Sequence, residues 1–208
     1  MTKVAQFTAA EAAYVLEEPV RAVKKALDAG PVQSVLVPRP GGSVRAIEWS
    51  DLFYLFAVRV LREELTPKAR AEFYEAIRRH PLERSREVQF GRIRVAVADL
   101  VEEVERRTKK LSELHDKVEF RSDGEPLLNG TDIEAHRIAA LLDGGMTVDE
   151  VLADYPSLTR DAVEVAKAYV DTYPKAGRPY PRTTAKRALR GAGLEALDEA
   201  LGDDDSYE

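Results

Sequence analysis

One stretch limits the fold more than any other. From Ser50 to about Leu65 the chain sets Leu52, Phe53, Leu55, Phe56, Val58, Val60 and Leu61 on nearly every side of a helix. A helix that is apolar all round belongs in a core, between domains or in a dimer contact, not on a wet surface. No apolar run in the 208 residues reaches the roughly 20 that a membrane span needs, so this helix is expected to organise a folded domain.

The flanking segments are short and strongly punctuated. Thr8 with Glu11 has the spacing of a capping box. Ala9, Ala10, Ala12, Ala13 and Leu16 then follow at helical intervals, and Glu17-Glu18-Pro19 makes a turn. Pro19 starts a second helix, Val20 to Ala29, with Val20, Val23 and Leu27 inward and Arg21, Lys24 and Lys25 outward; Gly30 and Pro31 stop it. Two β-type runs, Ser34 to Val37 and Val44 to Ile47, flank the Gly41-Gly42 turn and predict a hairpin or wing. After the apolar helix, Thr66-Pro67 caps another helix running to His80. Glu87 to Val97 reads as a second extended hairpin, and Ala98 to about Val118 as a charged amphipathic helix.

The remainder predicts a second small unit. A turn at Ser122-Asp-Gly124 precedes a helix from Ile133 to Leu142, which Gly144-Gly145 ends. Thr147 with Glu150 caps a short helix, and Thr159 caps a third, running to about Tyr173. Three such helices again have a helix-turn-helix spacing. The expected fold is mainly α, with two winged-helix or helix-turn-helix-like units and short β-hairpins. The expected division is 1–97, a connecting helix 98–118, a three-helix unit 119–174 and a tail 175–208 without structure of its own.

Charge separates the halves. Residues 1–110 carry 20 Lys/Arg against 16 Asp/Glu, while residues 111–170 carry 5 against 13. The first half suits phosphate, and the second is repelled by it. The chain has no cysteine, and its first twenty residues hold Glu11, Glu17 and Glu18 rather than a signal-peptide pattern. A cytoplasmic protein is expected.

Within the basic half, Arg21, Lys24 and Lys25 occupy the outward face of the second helix, where a recognition helix meets base edges and phosphates. Arg39 and Arg45 flank the glycine turn as a wing would. Arg78, Arg79, Arg84, Arg86, Arg92 and Arg94 form a further basic stretch, either a second phosphate patch or a solvated surface balanced by Glu75, Glu83 and Glu87; the balanced surface is favoured. Arg106 to Lys110 reads as an exposed helix face. The third helix of the second unit mixes acids with bases, so that unit is expected to contact protein rather than DNA. His80, His115 and His136 have no metal-ligand spacing, and the glycine pairs form no phosphate loop. No cofactor, metal site or enzyme activity is expected.

Two resemblances add to this. Gly124-Glu-Pro126, Asn129-Gly-Thr-Asp-Ile133, Leu142-Asp-Gly-Gly-Met-Thr147, Glu150-Val-Leu152, Asp154 to Thr159, Ala166-Lys-Ala-Tyr169 and Gly177-Arg-Pro179 together resemble the domain-of-unknown-function 433 family. Family members usually carry arginines where this chain has Asn129 and Asp132. Phe7 to Lys25 is similar to the opening of MerR-type DNA-binding domains. The resemblance implies a small winged-helix-like fold and the company of a PIN-domain ribonuclease, as for VapB-like antitoxins. It therefore implies an antitoxin that binds operator DNA through Arg21, Lys24, Lys25, Arg39 and Arg45 and represses its own operon. The tail residues Arg178, Tyr180, Arg182, Lys186, Arg187 and Arg190 would enter the acidic metal cluster of the toxin. A homodimer is expected, joined through the apolar helix. A free-standing regulator without a toxin, or a pure interaction adaptor, are the alternatives.

Overall fold

Thr8 opens the first helix by accepting a hydrogen bond from the Glu11 backbone N–H at 3.2 Å, while the Thr8 N–H donates to the Glu11 carboxylate at 2.6 Å. Two of the four orphan donors of the helix start are satisfied in this way. In a computed structural model of the chain the described residues are 6–39, 42–79, 82, 86–175, 180–184, 187 and 188. They fall into two units, Met1–His115 and Asp116–Glu208.

The first unit begins with strand β1 (Gln6–Thr8), helix α1 (Ala9–Leu16) and helix α2 (Val20–Ala29). Strands β2 (Val35–Arg39) and β3 (Gly42–Glu48) form the expected hairpin, and β1 adds to it in the order β1-β3-β2, all antiparallel. Phe7 pairs with Ile47, and Val35 with Ala46. Strand β1 is an element that the sequence pattern does not reveal: three residues carry no detectable period.

Helix α3 (Trp49–Val60) is the organising element, as its apolar pattern predicts. It stops about a turn before the expected end at Leu65, because residues 61–64 form a turn and Thr66 caps the next helix through the Ala69 N–H. Leu52, Phe53 and Ala57 are fully buried, and Tyr54, Leu55 and Phe56 nearly so. Most of the apolar surface expected to make a dimer contact is thus covered within the unit; of that set Val58 and Leu61 are half-buried and Val60, at 50% exposure, faces water. Helix α4 (Pro67–Arg79) packs on α3, with Tyr54 edge-on to Tyr74 at 4.8 Å between ring centres. Strands β4 (Glu87–Phe90) and β5 (Ile93–Ala96) form a ribbon whose Phe90 meets Phe73 of α4 at 5.4 Å. Helix α5 (Ala98–Asp116) buries Leu100, Val101, Val104, Leu111 and Leu114. Up to His115 it belongs to the first unit.

The second unit starts with strands β6 (Val118–Phe120) and β7 (Pro126–Leu128), paired about the turn at 122–124. Helices α6 (Ala135–Asp143), α7 (Val148–Asp154) and α8 (Arg160–Thr172) follow, with the Thr147 and Thr159 caps in place. Ile138, Ala139, Leu141, Val151, Val163 and Ala166 make its core, each fully buried. The chain is mainly helical with small antiparallel sheets. Among the described residues no helix is long and apolar enough to cross a membrane.

Candidate nucleic-acid interface

Helix α2 buries Val23 and Leu27, and its amphipathic spacing turns Arg21, Lys24 and Lys25 outward, where all three are exposed. None of the three makes an ion pair among the described residues. Several other cations of the first unit differ. Arg59 pairs with Glu18, Arg78 with Glu48, Arg79 with Glu75 and Arg107 with Glu103. The α2 face is a patch of unneutralised positive charge on one short, rigid element.

Three anchors hold that element. The first is Arg45 on β3, which donates to Asp28 near the end of α2 and, at 2.9 Å, to Ser34. Its guanidinium ties the hairpin to α2 and pairs with the acid on that face, so a phosphate at Arg45 would compete with Asp28. Arg39 ends β2 opposite Gly42. Second, Arg59 donates to the Leu16 carbonyl and pairs with Glu18 at 3.2 Å, fixing the turn between the helices. That turn uses Glu17 at φ 54°, a left-handed residue that strains a non-glycine side chain.

The third anchor is Arg107. Its sequence neighbours suggest an exposed basic face, but its side chain is only 17% exposed. It donates to the Val15 carbonyl at 3.0 Å, pairs with Glu17 at 3.2 Å and Glu103 at 2.6 Å, and lies 5.2 Å from the centre of the Phe56 ring. With Arg106 it holds the Glu103 carboxyl at about 2, through hydrogen bonds first from Arg106 and then from Arg107.

A buried polar cluster secures the base of the hairpin. Asp51 is fully buried, accepting from the Tyr74 hydroxyl at 2.8 Å and the Glu48 N–H at 3.2 Å. Tyr74 in turn accepts from the Gln33 N–H at 3.2 Å, just before β2. Burial pushes the Asp51 carboxyl up despite these bonds, and burial with the Asp51 hydrogen bond pushes Tyr74 up to about 12.

In the second unit several described residues of the tail have partners within the unit. Arg137 of α6 donates to the Pro181 carbonyl at 2.8 Å and the Thr183 carbonyl at 3.2 Å. The Thr184 hydroxyl donates to Asp154 at 3.3 Å. Arg187 pairs with Glu150, whose carboxyl is held at about 2 by the Thr147 backbone first and Arg187 next. Tyr180 donates to Glu134, and its hydroxyl lies 3.3 Å from Lys175. An added Cβ at Gly144 would meet the Arg182 carbonyl oxygen at 1.9 Å, so only glycine admits the strap at that point. These described residues of the tail are therefore held against α6 and α7, where the sequence pattern predicts no structure. Arg178, Lys186 and Arg190 lie outside the described residues.

His136 bonds the Tyr173 carbonyl through Nε2 at 2.9 Å, while Nδ1 lies 3.9 Å from Glu125 without a hydrogen bond. Among the described residues no three His, Asp or Glu side chains gather as a metal site.

Residues 121–170 match the family described as "Protein of unknown function (DUF433)". No curated protein matches the chain. Among solved structures the chain is similar to the X-ray crystal structure of Rv2018 from Mycobacterium tuberculosis. That likeness has 17% identity and covers 77% of this chain and 95% of that one, at a TM-score of 0.27.

Proposed function

We propose that this chain is an antitoxin that binds its operator DNA through α2 and neutralises a PIN-domain ribonuclease through its second unit. It acts by binding rather than by catalysis. The observation that carries the DNA half is the exposed set Arg21, Lys24 and Lys25, unpaired among the described residues, on the second of two short helices joined by a tight turn. Such a face meets base edges and phosphates in the major groove, and the β2–β3 hairpin sits beside it in the manner of a wing. The antitoxin half is supported by the match of residues 121–170 to the DUF433 family, together with the company of a PIN-domain ribonuclease that the resemblance to that family implies.

One observation favours a second reading, a free-standing regulator. Tyr180 and Arg187, assigned to the toxin, already have acid partners in their own unit. A toxin would have to compete with Glu134 and Glu150 for them.

The deciding experiment is a pull-down of the tagged chain from its own host, read by mass spectrometry, beside an anisotropy titration with duplex from its own promoter. Recovery of a PIN-like protein, with duplex binding that Lys24→Glu abolishes, supports the antitoxin. Duplex binding without a protein partner selects the regulator. An absence of both outcomes refutes the proposal.

A further inference from the structure

The β4–β5 ribbon is a better-built anion surface than its sequence suggests. Its base is fixed: Val88 and Phe90 are 5% and 6% exposed, and the neighbouring Val97 is fully buried. Gly91 at φ 55° and Arg92 make a two-residue turn between Phe90 and Ile93, the tight connection that throws its residues to the tip of a hairpin. Gln89 and Arg94 stand directly opposite each other on the face away from Val88 and Phe90. Strand β5 overhangs its support. Ile93 shares a face with Phe90, yet it stays 43% exposed.

Charge points the same way. Arg86, Arg92 and Arg94 are exposed and have no acid partner among the described residues. Of the balancing acids expected from the sequence, Glu75 pairs with Arg79 of the same stretch and not with the ribbon, and Glu87 makes no ion pair among the described residues. Glu83 lies outside the described residues. Glu72, near the turn, faces Lys68 at 3.9 Å.

We infer that the β4–β5 ribbon is a second DNA-contacting element, with Arg92 at its tip and the Gln89–Arg94 pair on its outer face bonding backbone phosphates of a duplex. The inference rests on the DNA-binding reading and extends it to a separate element. A duplex fits better than an acidic protein because the same unit already presents unpaired cations on α2. Arginine and glutamine side chains are also common donors to phosphate oxygens.

The test uses the full chain and labelled duplex from its own promoter, titrated over a salt series. The variants are Arg92→Ala/Arg94→Ala, Arg92→Lys/Arg94→Lys and Lys24→Glu. Each phosphate that the protein no longer neutralises lowers the slope of log affinity against log salt by about 0.9, so the double alanine variant should show a slope smaller by about 1.8. Its affinity should fall at least tenfold, and the lysine variant should keep most of the slope. The side chains are exposed and unpaired, so urea midpoints should match wild type. An unchanged slope with Arg92→Ala/Arg94→Ala, while Lys24→Glu abolishes binding, overturns the ribbon and leaves α2 standing. Loss of a protein partner with DNA binding intact assigns the ribbon to protein and also overturns it. If the wild-type chain binds no duplex, both readings fall.

Discussion

The Tyr74 hydroxyl donates to the Asp51 carboxylate at 2.8 Å inside the first unit, and the same oxygen accepts the Gln33 N–H at 3.2 Å. One phenol thus joins helix α3, helix α4 and the segment that leads from α2 into the hairpin. No binding role is needed to explain it. A carboxylate buried this completely needs donors, and removing one leaves the charge under-solvated.

Tyr74→Phe keeps the ring contacts and deletes that donor. We expect a loss of about 1–3 kcal/mol in urea unfolding. Burial already raises the Asp51 carboxyl and the Tyr74 bond lowers it, so the variant should raise it further. A raised acid favours folding below its unfolded value and loses that contribution as pH rises through its folded value. The deficit of the variant should therefore narrow as pH falls. A deficit independent of pH would remove Asp51 from the explanation.

Arg107→Ala removes a donor to the Val15 carbonyl and a cation beside Phe56. About 1–3 kcal/mol of stability should disappear. Arg107→Lys should restore only part of it, because an ammonium lacks the planar fork that serves several acceptors at once. Full recovery with lysine would mean that charge alone matters there.

Glu150 offers a direct reading of the tail. Its carboxyl is held at about 2, against an ordinary 4.5, by the Thr147 backbone and then Arg187. Its contribution to folding is present above about pH 4.5 and is lost as the pH falls toward 2. In a carbon-detected NMR titration, Arg187→Ala should move the midpoint upward but not fully to 4.5, since the Thr147 bonds remain. An unmoved midpoint would mean that Arg187 does not sit on Glu150 in solution.

Gly144→Ala sets a methyl group against the Arg182 carbonyl. The three-helix core lies elsewhere and should survive, while the strap at 180–184 should lift. Limited trypsin digestion should then cut at Arg182 faster than in wild type. Equal cutting rates would show that the strap is not seated at Gly144.

The sequence is informative where structure is local. The caps at Thr8, Thr147 and Thr159 are spelled within four residues, and each forms as expected. The outward placement of Arg21, Lys24 and Lys25 follows from the helical period alone. Long-range partners leave no such trace. Nothing near Arg107 announces Val15, 92 positions away, and a run of Arg and Lys disguises the one side chain that turns inward. Asp51 and Tyr74 are 23 positions apart, and each looks like an ordinary helix residue. Arg45 is the instructive case, because nothing beside the predicted turn announces Asp28, the acid that the fold sets against it.

The Arg107 contact also bears on the order of events during synthesis. Helices α1 and α2, of 8 and 10 residues, are shorter than the roughly 12–15 at which even good isolated helices become marginal in water. They leave the ribosome before α5 does, and the residue that closes the end of α1 follows Val15 by 92 positions. At an elongation rate of up to roughly 20 residues per second, that gap lasts several seconds. A nascent chain stopped before α5 would carry the basic helix without its finished support. Helices α1 and α2 are thus completed by one of the last parts of their own unit.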